Sequence, residues 1–172
     1  MPIASHVGPV TIEEYLRSEF EPDADYVDGR IEERPMGEYD HASWQEAILA
    51  WFRLHAAEWN IRAKPELRVQ TSATRFRVPD VTVMRRDQPI EQILTRPPFA
   101  VFEVVSPEDT LRRMQRKLGD YAAMGIAHIY VIDPAGPVYY RFQNGDLRSA
   151  QHFGAPGDAI HFPLAAIAAL LD

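Results

Sequence analysis

Seven consecutive residues, Phe99-Ala100-Val101-Phe102-Glu103-Val104-Val105, constrain this chain more than any others. The run does not alternate between apolar and polar positions, so as a strand it needs cover on both faces and belongs in the middle of a sheet. Glu103 is the one charge within it. A carboxylate there must be paired, protonated or bound to a cation, because desolvating it alone is costly. A helical pattern follows, and then a second apolar run, His128–Asp133. The order strand, helix, strand implies a parallel pair joined by a right-handed crossover. Upstream, Val78-Pro79-Asp80-Val81-Thr82-Val83-Met84 places a second carboxylate, Asp80, inside another β-rich run. Pro79 cannot donate a ladder hydrogen bond and marks a strand start, a bulge or an edge. Two such carboxylates in neighbouring strands invite a metal.

The rest of the chain reads as punctuation around that centre. Thr11 and Glu14 form a capping-box pattern, predicting a short helix to about Ser18. Glu21–Asp25 is expected to be loop. Tyr26–Glu32 reads as two short strands joined at Asp28-Gly29, the strongest short hairpin signal. Apolar spacing predicts a helix from about His41 to Trp59, with Asp40 as its cap and three tryptophans on its buried face. Leu67–Thr71 and Arg75–Val78 alternate as strands, and Ile90–Leu94 is expected to form one helical turn. Ser106-Pro107-Glu108-Asp109 predicts the start of the next helix, with Leu111, Met114, Leu118 and Tyr121 as its buried stripe and Gly125 as its stop. Val138–Phe142 and a strand from about Leu147 form a hairpin about Asn144-Gly145, and Pro163–Leu171 reads as a closing helix. The expected fold is a single α/β domain over residues 1–172, with a central mixed sheet flanked by helices.

Composition narrows the chemistry. The chain has no cysteine, which excludes disulfides, thiolate metal sites and a cysteine nucleophile. No N-terminal signal pattern and no bilayer-length apolar run are present, so a cytoplasmic protein without a membrane partner is expected. The net charge of −7 counts against tight sequence-independent nucleic-acid binding, although arginines cluster locally at Arg75, Arg77, Arg85, Arg86, Arg112, Arg113 and Arg116. No histidine pair has zinc-ligand spacing, and neither a nucleophile elbow nor a glycine-rich phosphate loop occurs.

Asp80 and Glu103 are the candidate metal ligands. Mg²⁺ takes hard oxygen donors, commonly one or two protein carboxylates, and keeps waters that a substrate phosphate can displace; Mn²⁺ is its natural substitute. Lys117, one of two lysines in the chain, lies on or beside the buried stripe of the helix that follows Glu103. It either neutralises charge at a phosphoryl centre or snorkels from the edge of that stripe. Taken singly, Asp80 could be a turn residue and Glu103 a salt-bridged strand residue. Jointly they favour the metal.

These motifs, Val-Pro-Asp-Val-Thr-Val, Phe-Glu-Val-Val-Ser-Pro, Arg-Lys-Leu-Gly-Asp-Tyr-Ala-Ala-Met-Gly-Ile and Tyr-Val-Ile-Asp-Pro, together with Asp25–Gly29 and His41, resemble the Uma2 family of restriction endonucleases in the PD-(D/E)XK nuclease superfamily. The resemblance implies a restriction-endonuclease-like core and Mg²⁺-dependent cleavage of nucleic acid, DNA in particular, by a homodimer, since cutting both strands calls for two sites. It makes Asp80 and Glu103 metal ligands and adds Asp25 as a third acid. The superfamily lysine is expected two residues after Glu103, where Val105 stands, and the resemblance moves that role to Lys117. Arg113 occupies a position where relatives carry aspartate. His41 is either a neighbour of the cluster or a structural residue at a helix start. Two rival readings are a catalytically inactive binding or oligomerisation module on the same scaffold, and a small-molecule phosphodiesterase.

Overall fold

A computed structural model describes residues 8–20, 23–35, 37–154 and 159–171. The sheet that positions the candidate site has six strands, in the order β10-β9-β8-β7-β6-β3. Its members are β3 (Ile61–Pro65), β6 (Val81–Arg85), β7 (Ala100–Val104), β8 (His128–Asp133), β9 (Val138–Gln143) and β10 (Asp146–Ser149). The apolar run is central as expected: every residue of β7 is buried, and β7 pairs parallel with β8 and antiparallel with β6. Mixed pairing and flanking helices make this an α/β fold with a mixed sheet.

The two faces of the sheet are covered by different helices. On one, α2 (Tyr39–Leu54) sets Trp44, Ile48 and Phe52 against Val81, Val83, Phe102 and Val104. On the other, α3 (Leu111–Met124) sets Met114, Leu118 and Tyr121 against Val101, Ile129 and Val131. Alternation along β7 therefore sends Phe102 and Val104 toward α2, and Val101 and Glu103 toward α3.

A second sheet, β2-β1-β5-β4, is built from β1 (Ala24–Val27), β2 (Arg30–Glu33), β4 (Val69–Ser72) and β5 (Arg75–Arg77). The β1–β2 hairpin turns at Asp28 and Gly29, both at positive φ (49° and 88°), which is the geometry an Asp-Gly pair favours. Tyr15 of α1 (Ile12–Arg17), Tyr26 and Phe76 form its small aromatic core, and the Thr11–Glu14 capping box is present. A further pair, β11 (His152–Gly154) with β12 (His161–Pro163), leads into the short α4 (Leu164–Ala168).

Several expectations are corrected. Ala24 and Asp25 are strand, not loop, because both are buried in the β1–β2 ladder. α2 starts at Tyr39 and ends at Leu54 rather than at Trp59; Trp59 instead stacks on His55 from the following turn, at 4.1 Å. Residues 61–65 form an edge strand that the sequence reading left unassigned, its signal diluted by Ala63 and Pro65. Leu94 makes a bridge to Val69 rather than a helical turn. α3 is capped by Thr110, not Ser106, since Thr110 accepts the Arg113 N–H while Asp109 folds back on the Ser106 N–H at 2.8 Å. Leu111 is consequently outside the stripe and 68% exposed. The closing helix is five residues long. Met36, and Glu21 and Pro22 of the expected loop, lie outside the described residues. Among the described residues no helix is long and apolar enough to cross a membrane.

Candidate active site

Register brings the two carboxylates together. β6 and β7 pair antiparallel with Val81 opposite Phe102 and Val83 opposite Ala100. One further step places Asp80 across from Glu103, with both side chains on the α3 face. The Val104 N–H closes the end of the ladder by donating to Asp80 Oδ2 at 2.7 Å. Proline at 79 fits this arrangement, since the chain leaves the ladder there.

Around this pair the protein supplies its own cations. Arg34, just after β2, donates from Nη2 to Asp80 Oδ1 and lies 3.6 Å from Glu66. His41, in the first turn of α2, places Nε2 3.2 Å from Asp80 Oδ2. Lys117 of α3 holds Nζ 2.9 Å from Glu103 Oε1, 3.2 Å from the Val78 carbonyl and 3.6 Å from Asp25 Oδ2. The Tyr121 hydroxyl, one turn on, donates to Glu103 Oε1 at 2.6 Å. Glu103 Oε2 makes no hydrogen bond or ion pair among the described residues. Asp25, Arg34, His41, Asp80, Glu103 and Lys117 line a cleft of about 30 Å³, together with Ser106, Asp109 and Arg113. One or two water-sized particles fit such a volume.

The two acids are buried equally but differ in protonation. Burial pushes Asp80 upward, yet the His41 hydrogen bond and the charges of Arg34, His41 and Lys117 outweigh it and hold Asp80 near 2, ionised. For Glu103, burial dominates over Lys117, and the neighbouring Asp80 charge adds to it, so its carboxyl is raised to about 7. Burial lowers Lys117 and His41, but facing acids more than compensate: Asp25 and Glu103 raise Lys117, and Asp80 raises His41. Burial pushes Tyr121 well up, so it stays a donor.

The third expected acid lines the same cleft, with its oxygens already engaged. Asp25 accepts the Val78 N–H at 2.8 Å and pairs with Arg77 at 3.2 Å and with Lys117 at 3.6 Å. Arg77 is fully buried and also binds Glu32 and Asp120. Among the described residues no three His, Asp or Glu side chains converge as a preformed cation cage. Two opposed carboxylates with one unengaged oxygen and a water-sized cleft nevertheless fit a hard cation that keeps part of its water shell. Loading it requires Arg34 or His41 to yield an oxygen of Asp80.

Sequence reading missed Arg34, the hydroxyl of Tyr121 and the Arg77 network. Arg34 carries no periodic signal. The Tyr121 signal was available, because a tyrosine on a buried stripe needs a partner for its hydroxyl. Lys117 is no snorkelling residue, since its ammonium is enclosed by acids and a carbonyl.

Comparison with known proteins bears on this site. The family description "Uma2: Putative restriction endonuclease" matches residues 12–165. A solved structure described as a "putative nuclease belonging to DUF820 from Anabaena variabilis ATCC 29413" superposes with a TM-score of 0.80 at 20% identity, over 94% of this chain and 99% of that one, which shows a shared fold. A DrdV–DNA complex aligns with 76% of this chain and 11% of its own, at 19% identity and a TM-score of 0.44, too weakly to carry an argument. No curated protein matches.

Proposed function

This chain belongs to the Uma2 family, and on that premise we propose that it is a Mg²⁺-dependent endonuclease that hydrolyses DNA phosphodiesters. The observation that supports this most is the register pairing of Asp80 with Glu103 on one sheet face, with the Lys117 ammonium 2.9 Å from Glu103. A divalent cation held by these two carboxylates would supply an acidified water and electrophilic stabilisation of the phosphoryl oxygens. Lys117 keeps a fixed positive charge beside the place where negative charge builds, and Asp25 with the Val78 carbonyl prevents it from swinging away. Tyr121 holds Glu103 in place by donating to Oε1, which leaves Oε2 to a ligand. Arg34, once it releases Asp80, is a guanidinium available in the cleft to an incoming phosphate, and His41 fixes the second oxygen of Asp80.

Cutting both strands of a duplex calls for two such sites, so the working species is a homodimer. Nicking and linearisation of supercoiled plasmid in Mg²⁺ or Mn²⁺ tests the reading. Asp80→Ala and Glu103→Ala are each expected to lower the rate by about 10²–10⁴-fold, as for loss of one positioned catalytic group. Full metal-dependent cleavage by either variant would refute the assignment. One observation favours a second reading, an inactive module on this scaffold: Arg34 and His41 already neutralise Asp80 without a metal. That reading requires wild-type protein to leave the plasmid intact.

A further inference from the structure

Arg34, His41 and Lys117 at the catalytic cleft are paired with internal acids, and a second cleft gathers four further cations. It has a volume of about 370 Å³ and is lined by Arg62, Lys64, Arg85 and Arg96 over an apolar floor that includes Leu67 and Met84. Among the described residues Arg62, Lys64 and Arg96 form no salt bridge, but the Arg62 guanidinium donates to the Gln88 carbonyl at 3.5 Å and the Arg96 charge acts on Glu91; the Arg85 guanidinium lies over the Phe99 ring at 4.6 Å. Glu91 is the one acid lining the cleft, and Thr95 hydrogen-bonds its carboxylate.

Position gives these cations a meaning. Arg62 and Lys64 pair across the ladder with Met84 and Thr82, so they share the sheet face of Asp80 and Glu103. Lys64 stands one strand over and two residues along from Asp80. With standard strand spacings its Cα is about 8 Å from that of Asp80, and the Cα of Arg62 is about 14 Å away. Successive phosphates of one DNA strand advance about 3.4 Å along the duplex axis, so the two residues fall about two to four phosphates from a phosphodiester at Asp80. In a chain of net charge −7, a local group of four cations with one acid among them fits a polyanion.

We infer that the cleft lined by Arg62, Lys64 and Arg96 is a backbone track that holds DNA beside the scissile phosphate, an inference that rests on the endonuclease reading above. The track sets affinity and strand direction, whereas Asp80, Glu103 and Lys117 perform the hydrolysis.

The test compares wild type with the triple variant Arg62→Gln/Lys64→Gln/Arg96→Gln, with thermal melting as the folding control. Anisotropy of a fluorescent duplex in Ca²⁺ gives affinity across a salt series. Hydrolysis of bis(p-nitrophenyl) phosphate in Mn²⁺ reports on the chemical centre alone. The variant is expected to bind DNA more weakly, with a salt slope shallower by about 2.7, or ~0.9 per lost phosphate contact. Its hydrolysis of the small diester should stay within about twofold of wild type, since that substrate never reaches the track. An unchanged salt slope with normal diester hydrolysis would overturn the track and spare the endonuclease. Wild type that neither hydrolyses the diester nor binds duplex would overturn both. Retained duplex binding with lost binding of a polyglutamate peptide would give the cleft to an acidic protein partner and overturn the inference.

Discussion

Two clusters of buried acids sit on either side of Lys117, and they are built by opposite rules. Around Arg77, the carboxylates of Asp25, Glu32 and Asp120 lie within 3.2 Å of one guanidinium, and Arg75 and Arg116 bind the same acids from outside. That network is knit together: it joins the β1–β2 hairpin to α3, and each of its three acids is paired with Arg77. Around Asp80 and Glu103 the accounts differ. Glu103 keeps one oxygen unengaged, its carboxyl resists ionisation, and the pair opens on a cleft. Satisfied buried charge holds a structure together, whereas buried charge left partly unsatisfied is strain that a ligand can relieve. The contrast separates scaffold from site although the residue types are the same.

Breaking the Arg77 cluster should have the largest effect on stability. Arg77→Met leaves three acids facing one another in the interior, and a loss of about 3–5 kcal/mol is expected in urea denaturation. A smaller loss would mean that the network is not knit together. Arg34→Met probes the open cluster, where a charge-assisted bond to a buried carboxylate is worth on the order of 2–3 kcal/mol. Here stability and function should diverge: the metal-free protein melts earlier while Mn²⁺ binds more tightly, because Asp80 loses its arginine partner and keeps only His41 in direct contact. Equal or weaker Mn²⁺ binding in calorimetry would place Arg34 among the groups that support the metal instead.

The protonation contrast yields a pH prediction. Glu103 is raised in the folded state from its ordinary 4.5 to about 7. Folding therefore favours its protonated form, and the stability it contributes is complete below about pH 4.5 and lost as pH rises through about 7. His41, also raised, has the same sign. Asp80 has the opposite one: held near 2 rather than 3.8, it contributes stability above pH 4 that disappears as pH falls toward 2. Metal-free Glu103→Gln should thus lose less stability than wild type between pH 5 and 8 in parallel denaturation curves; identical pH slopes would contradict the buried-acid account. The smallest effect expected lies far from both clusters. Thr11→Ala removes the capping box of α1 and should cost about 1 kcal/mol without touching metal binding.

Much of the site was legible because the chain writes it in strands. A lone charge in each of two β-rich runs identifies Asp80 and Glu103 and places them in neighbouring strands, while their shared face comes from the register; Gly125 ends α3 where the sequence places it, at φ 99°. Lys117 was legible only as an anomaly on a packed stripe. The partners of these residues were harder to read. Arg34 reaches Asp80 across 46 positions and Arg77 reaches Asp120 across 43, contacts that follow from how the smaller sheet meets the larger one and α3 and leave no local periodicity. The edge strand at Ile61–Pro65 was hidden for a related reason, since its short alternation gains meaning only beside β6.

The account stands on Asp80 and Glu103 acting as one metal site. Isothermal calorimetry with Mn²⁺, on wild type and on the Asp80→Ala/Glu103→Ala double variant, tests that most directly. The account predicts binding by wild type that disappears in the double variant while the variant still unfolds cooperatively. Binding of equal strength in both proteins, or none by wild type at millimolar metal with a DNA duplex present, would contradict it.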